Sequence, residues 1–148
     1  MNDNLTTISL QEYAEDLLAN LEEIHSVSSA PDLSVDCAKY EFDVDTMVPL
    51  GLAINELVTN SFKYAPNDKP LFLSISGQQI RQGRYQVTIR DHGDDLPRPF
   101  HELVQSGYGL RLAYRLCQQL LGELSHRYEE GNVFTIDFYD SEARRKVE

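Results

Sequence analysis

Apolar positions near the start of the chain recur at helical spacing: Leu10, Tyr13, Leu17, Leu21 and Ile24 share one face, which predicts an amphipathic helix over residues 8–24. Ser9 followed by Glu12 has the capping-box pattern, and the Ser-rich stretch 26–29 with Pro31 ends the helix. Residues 33–44 read as strand, with Val35, Tyr40, Phe42 and Val44 expected to face inward. Asp45 is expected to cap a second helix that runs to Tyr64, with Pro49 near its first turn, where proline is tolerated. The run Ala65-Pro66-Asn67-Asp68 closes that helix.

Two strands at 71–79 and 85–91 flank Gln82-Gly83 as a hairpin. The stretch 91–106, with Gly93, Pro97 and Pro99, reads as loop. A third helix is expected from Gly107 to Leu121, with Gly122 able to end it. Residues 123–128 and 133–139 form a second hairpin through Glu129-Glu130-Gly131-Asn132, and the charged tail from Ser141 is expected to fray. Helices alternating with hairpins predict an α+β domain, with helices on one face of a mostly antiparallel sheet. No repeat, low-complexity segment or internal linker interrupts this plan.

Composition narrows the picture. A chain of 148 residues, 41% of them hydrophobic, suits one domain with a real core. No apolar run approaches the roughly 20 residues of a membrane span, and the opening lacks the pattern of a secretory signal. Cys37 and Cys117 are too few for a disulfide framework and lack metal-ligand spacing, so they read as reduced, semi-buried thiols in a cytoplasmic setting. The net charge of −11 argues against a nucleic-acid surface. Any anionic ligand must therefore be held by local devices such as a helix N-terminus, a cation or a single lysine.

On a helix turning about 100° per residue, Leu50, Ile54, Leu57, Val58, Ser61 and Ala65 fall in one arc. Glu56, Asn60 and Lys63 fall opposite, with Tyr64 at the edge. That row reads either as a solvated face or as a kit for a metal-bound triphosphate. Magnesium takes one or two hard protein oxygens. Asn60 can offer its carbonyl, Lys63 can neutralise a phosphate and Glu56 can hold a water. Asp91-His92-Gly93 reads either as a turn or as a carboxylate awaiting an exocyclic amine, with Gly93 leaving room for a flat ring. Gly107-Tyr108-Gly109-Leu110 is either a loop-to-helix junction or an anion site of backbone N–H groups at a helix start.

Taken together and in chain order, Asn55-Glu56-Leu57-Val58-Thr59-Asn60-Ser61-Phe62-Lys63-Tyr64, Asp91-His92-Gly93-Asp94-Asp95-Leu96-Pro97 and Gly107-Tyr108-Gly109-Leu110-Arg111-Leu112 resemble three nucleotide-binding boxes. These are the N, G1 and G2 boxes of histidine-kinase ATPase domains, in the superfamily shared with gyrase, Hsp90 and MutL. The segment from Glu130 to Phe138 is similar to that family's last strand, so the likeness covers about residues 33–139. Residues 8–24 resemble the end of the dimerising phosphoacceptor module in one kinase subgroup. The resemblance thus divides the chain into a helical remnant at 1–30, an ATP-binding domain at 31–140 and a tail at 141–148.

The resemblance implies a two-layer α/β sandwich of the Bergerat type, with ATP and Mg2+ as ligands and adenine between sheet and helices. Asp91 would bind the adenine amine and Gly93 would admit the ring. Asn60 would bind Mg2+, Lys63 and Tyr64 would reach phosphates or ribose, and Gly107, Tyr108, Gly109 and Leu110 would meet the phosphates. Glu56 stands where gyrase-type relatives keep a water-activating glutamate, as catalytic base or metal-water support. Asn132 replaces a threonine that supports adenine recognition, Asp95 replaces a glycine, and Asp94 adds charge. Residues 94–106 would form a lid.

None of His25, His92, His101 or His126 sits in a phosphoacceptor motif, and the last three read as surface or lid residues. The implied activity is γ-phosphoryl transfer to a histidine on a domain absent from this chain, and then to a response regulator. The fragment itself is expected to be cytoplasmic, monomeric and without membrane contact. A degenerate nucleotide-binding or scaffold module and an anti-sigma-factor-type serine kinase are the alternatives.

Overall fold

A computed structural model of the chain describes residues 6–25, 30–107 and 109–147. Thr7–Ser9 (β1) leads into α1, Leu10–His25, and the Glu12 amide donates to Ser9 Oγ at 3.1 Å, so the expected cap is formed. Leu10, Ala14, Leu18 and Leu21 are buried and centre the apolar arc. Tyr13 and Leu17 lie half-buried on its flank, and Ile24, on that flank in the last turn, is 71% exposed rather than inward.

Residues 33–44 are not one strand. Asp32–Asp36 (β2) runs parallel to β4, Phe72–Arg81, while Glu41–Asp43 (β3) pairs antiparallel with β1. The chain must leave one sheet for another, and it does so through a turn with Ala38 at φ 52°. Val44, 48% exposed, then begins α2, Val44–Lys63. Asp43 rather than Asp45 caps this helix, its Oδ1 accepting the Thr46 amide at 3.1 Å. Asp45 sits in the first turn, where a negative charge favours the helix start.

Pro49 lies inside α2, beyond the turn expected for it. Its missing N–H leaves the Asp45 carbonyl without the usual helical donor, and Arg144 Nη2 donates to that carbonyl at 3.3 Å. Arg144 belongs to α5, Ser141–Arg145, which Asp140 caps through the Ala143 amide at 2.8 Å. The tail is therefore helical where fraying was expected, because these bonds tie it to the start of α2.

β5, Arg84–Asp91, completes the first hairpin, and β6, Glu123–Tyr128, with β7, Asn132–Tyr139, forms the second. The stretch after Asp91 is not all loop. Pro99 fixes the start of α3, Phe100–Ser106, and buried Leu103 anchors it. The next helix, α4, is Leu110–Gln119, shorter at both ends than expected, and the Gly122 amide closes it on the Cys117 carbonyl at 2.9 Å.

The main sheet runs β2-β4-β5-β7-β6, parallel only at β2–β4. Register aligns Ile75 with Ile89, Ile89 with Phe134, and Val87 and Leu124 with Ile136. These inward rows meet Leu50, Ile54, Leu57 and Val58 of α2 and Leu110, Ala113 and Leu116 of α4 in one core. Alternate residues such as Ser74, Ser76, Thr88 and Thr135 leave the opposite face polar. The result is the predicted α+β sandwich with a mixed, mostly antiparallel sheet. Among the described residues no helix is long and apolar enough to cross a membrane.

Candidate functional site

Asp91 ends β5 in the same inward alternation as Val87 and Ile89, so the strand that builds the core also delivers a carboxyl group to its rim. It is 8% exposed. A buried carboxyl group must find donors, and this one has four among the described residues. Oδ1 accepts the Gly93 amide at 3.0 Å, the Asn132 amide at 3.3 Å and Asn132 Nδ2 at 3.0 Å. Oδ2 accepts Ser61 Oγ alone of these, at 2.8 Å. Oδ1 is thus filled, and the spare acceptor capacity lies on Oδ2. Gly131 permits this junction, since a Cβ there would lie 2.0 Å from the Asp91 carbonyl oxygen.

A cleft of about 390 Å³ opens above Asp91, between α2 and the stretch following β5. That volume suits a small organic ligand. Leu57, Leu71, Leu96, Leu110 and Phe134 make its apolar walls. Asn60, Tyr64, Asp91, Gly93, Leu110 and Asn132, all singled out in the sequence, line it together. Gly109 heads α4 at φ 75°, and a Cβ there would come 2.7 Å from Glu56 Oε2 and 3.5 Å from Asn60 Nδ2. The glycine thus lets the start of α4 lie against the polar row of α2.

The remaining candidates are less engaged. Lys63 is exposed, its Nζ 5.9 Å from the Tyr64 ring centroid, and it is not among the residues lining the cleft. Gly107 has open space where a Cβ would stand. Tyr108 lies outside the described residues. Asp94 and Asp95 also line the cleft. The Asp94 carbonyl accepts Asn132 Nδ2 at 2.8 Å, and Asp95 Oδ1 accepts the Leu96 amide at 2.7 Å.

Sequence reasoning misses three contributors. Ser61 falls in the apolar arc of α2; a hydroxyl in such an arc is the available signal that a buried partner waits. His126, expected at the surface or in the lid, is half-buried, with Nε2 2.8 Å from Asn132 Oδ1. Tyr128, two residues on and on the same side of β6, donates its hydroxyl to the Gly93 carbonyl at 3.1 Å. Nothing in the local pattern of β6 points to the cleft. His92 and His101 are exposed as expected, the former stacked on Phe72 at 4.0 Å.

Residues 46–142 match the family described as histidine kinase-, DNA gyrase B-, and HSP90-like ATPase, well over half of the 148-residue chain. The chain belongs to this ATPase family. Among solved structures of similar fold is the blue-light activated histidine kinase EL346 of Erythrobacter litoralis, at TM-score 0.80 and 23% identity over 93% of this chain and 44% of that one. The mycobacterial sensor histidine kinase MprB gives TM-score 0.74 at 20% identity over 92% and 97% of the two chains. The catalytic domain of histidine kinase ThkA gives TM-score 0.74 at 17% identity over 93% and 96%. At these identities the likeness is one of fold. The chain spans 44% and 64% of the two Erythrobacter chains it matches. Curated protein sequences contain no significant match to it.

Proposed function

We propose that the chain binds Mg-ATP in the cleft between α2 and the end of β5, as the ATP-binding catalytic domain of a sensor histidine kinase. One observation carries the reading: Asp91 lies in an apolar cleft with one acceptor position left on Oδ2. The 6-amino group of adenine supplies the matching donor, whereas a 6-oxo purine would set acceptor against acceptor. The residues also fit the metal. Asn60 offers a hard carbonyl oxygen without adding charge, and the Glu56 carboxylate beside Gly109 can hold a water next to it. Bound magnesium would neutralise phosphate charge. Gly109 and Leu110 open α4, whose N-terminal amides favour phosphate, and Lys63 and Tyr64 serve the phosphate or ribose end. Such local devices are needed in a chain of net charge −11.

In the intact protein the γ-phosphoryl group would pass to a histidine on a phosphoacceptor domain outside this chain, then to a response regulator. Transfer of this kind depends on positioning and charge stabilisation. The fragment would act as a cytoplasmic monomer, with α1 continuing from the phosphoacceptor module. Asn60→Ala and Asp91→Ala are each expected to weaken Mg-ATP binding more than about tenfold, a loss of roughly 1.4 kcal/mol or more. Calorimetric affinity unchanged in both variants would discard the pocket. Mixing the domain with its own phosphoacceptor helix pair and radiolabelled ATP identifies the acceptor; label on serine would favour the serine-kinase alternative.

Asp94 and Asp95 on the cleft wall favour a second reading, a scaffold that no longer uses nucleotide. Absence of thermal stabilisation at millimolar Mg-ATP would decide for it.

A further inference from the structure

Asn132 spends every polar atom of its side chain. Nδ2 donates to Asp91 Oδ1 at 3.0 Å and to the Asp94 carbonyl at 2.8 Å, and Oδ1 lies 2.8 Å from His126 Nε2. Rotating the amide by half a turn would press its oxygen against two other acceptors, so the orientation follows from the network. Oδ1 has no hydrogen of its own, and the contact at 2.8 Å therefore requires a proton on His126 Nε2. Aromatic neighbours hold the imidazole in place, its ring lying 4.8 Å from Phe134 and 5.9 Å, stacked, from Phe100 at the head of α3.

We propose that His126 is a positioning residue for nucleobase selection, which fixes the Asn132 amide and through it the Asp91 carboxyl group and the Asp94 end of the lid. The proposal rests on the nucleotide reading of the cleft. His126 does not line the cleft. It acts through Asn132, whose Nδ2 joins the Gly93 and Asn132 backbone amides in filling Oδ1 of Asp91. With Oδ1 filled, the spare acceptor site lies on Oδ2, which would accept a purine 6-amine and repel a 6-carbonyl oxygen. Removing the Nε2 donor leaves the Asn132 amide held at Nδ2 alone, with Oδ1 unpartnered, so its grip on Asp91 loosens and the preference for 6-amino over 6-oxo purines narrows. Because Asn132 also grips the Asp94 carbonyl, the same change loosens the segment leading to α3.

The test measures ATP and inosine triphosphate affinities by calorimetry, with magnesium, on the wild-type chain, His126→Phe and His126→Gln. Phenylalanine keeps the ring cluster and removes the donor; glutamine restores an N–H. His126→Phe is expected to lower ATP affinity roughly five- to tenfold, the scale of one lost hydrogen bond, and to shrink the ATP-to-inosine-triphosphate ratio by a similar factor. His126→Gln should recover most of that ratio. A residue that merely stabilised the fold would shift the melting temperature without moving the ratio.

Nitrogen-15 spectra of the wild-type imidazole, recorded without nucleotide, should show Nε2 protonated. A proton on Nδ1 alone, or a His126→Phe variant with wild-type selectivity, overturns the proposal and leaves ATP binding intact. A wild-type chain that binds neither nucleotide sinks the pocket reading itself, and the selecting role with it. Should His126→Phe fail to fold, the wild-type tautomer and the His126→Gln ratio still decide.

Discussion

At the scale of single residues, the site consists of polar groups that the core forces into partnership. Ser61 sits among apolar residues of α2 and is 9% exposed, and its hydroxyl donates to Asp91 Oδ2 at 2.8 Å, with the Leu57 carbonyl farther off at 3.4 Å. Leaving a buried acceptor without its donor costs about 1–3 kcal/mol. Ser61→Ala is accordingly expected to cost about 2 kcal/mol in urea unfolding, with an unchanged slope. A loss below about 0.5 kcal/mol would mean that the bond is replaced without penalty. The sequence shows Ser61 facing the core but not its partner, which lies 30 positions away. It reveals nothing of His126, whose alternation along β6 is that of an ordinary edge strand.

At the scale of elements, the start of α2 is a small assembly. Asp43 caps the helix through Thr46 and accepts a hydrogen bond from Ser141 Oγ. Arg144 binds the Asp45 carbonyl, the Tyr139 carbonyl at 2.6 Å and Thr46 Oγ1 at 3.1 Å. Loss of a capping side chain costs about 1 kcal/mol, so Asp43→Ala should lower stability by at least that amount, while Asp45→Ala, which removes only a first-turn charge, should cost about 0.5 kcal/mol or less. Equal effects in thermal melts would contradict the assignment of the cap.

Burial pushes the Asp43 carboxyl upward, but bonds from Ser141 and Thr46 and the Arg144 charge outweigh it and hold the group below its ordinary range. Asp137 is held low chiefly by its bond from Arg84. Both groups therefore release protons more readily folded than unfolded. Their contribution is present in full above the unfolded value near 4 and disappears as pH falls through the lower folded values. Melting temperature should hold from about pH 6 to 4.5 and drop below about pH 4. Asp137→Asn should flatten that drop; an unaltered acid limb would show that this pair does not contribute.

At the scale of the whole molecule, one core joins all layers, and it encloses both thiols. Cys37 and Cys117 are fully buried and unpaired. Burial lifts each thiol to about 12, aided at Cys37 by Asp36 and Glu15. The thiolate is the reactive form, so iodoacetamide at neutral pH should label neither cysteine in the native chain and both after unfolding, as read by mass spectrometry. Rapid native labelling would show that the core opens locally.

The sequence by itself determined the order and type of the main elements, and it singled out three stretches that each contribute residues to the cleft. Periodicity and capping are local, and a residue of given type at a given spacing carries them without its neighbours. It misjudged the break between β2 and β3, the cap at Asp43, helix α3 and the tail helix α5. The cap is a local bond from the Thr46 amide, and by sequence Asp45 is an equally good capping residue, while the others depend on partners distant in the chain: β1 and β4 for the strand break, the core around Leu103 for α3, and the open Asp45 carbonyl for Arg144. Tertiary structure alone decided that Ser61 bonds Asp91 and that His126 reaches it through Asn132, because hydrogen bonds between side chains on different elements exist only once packing has fixed their separation.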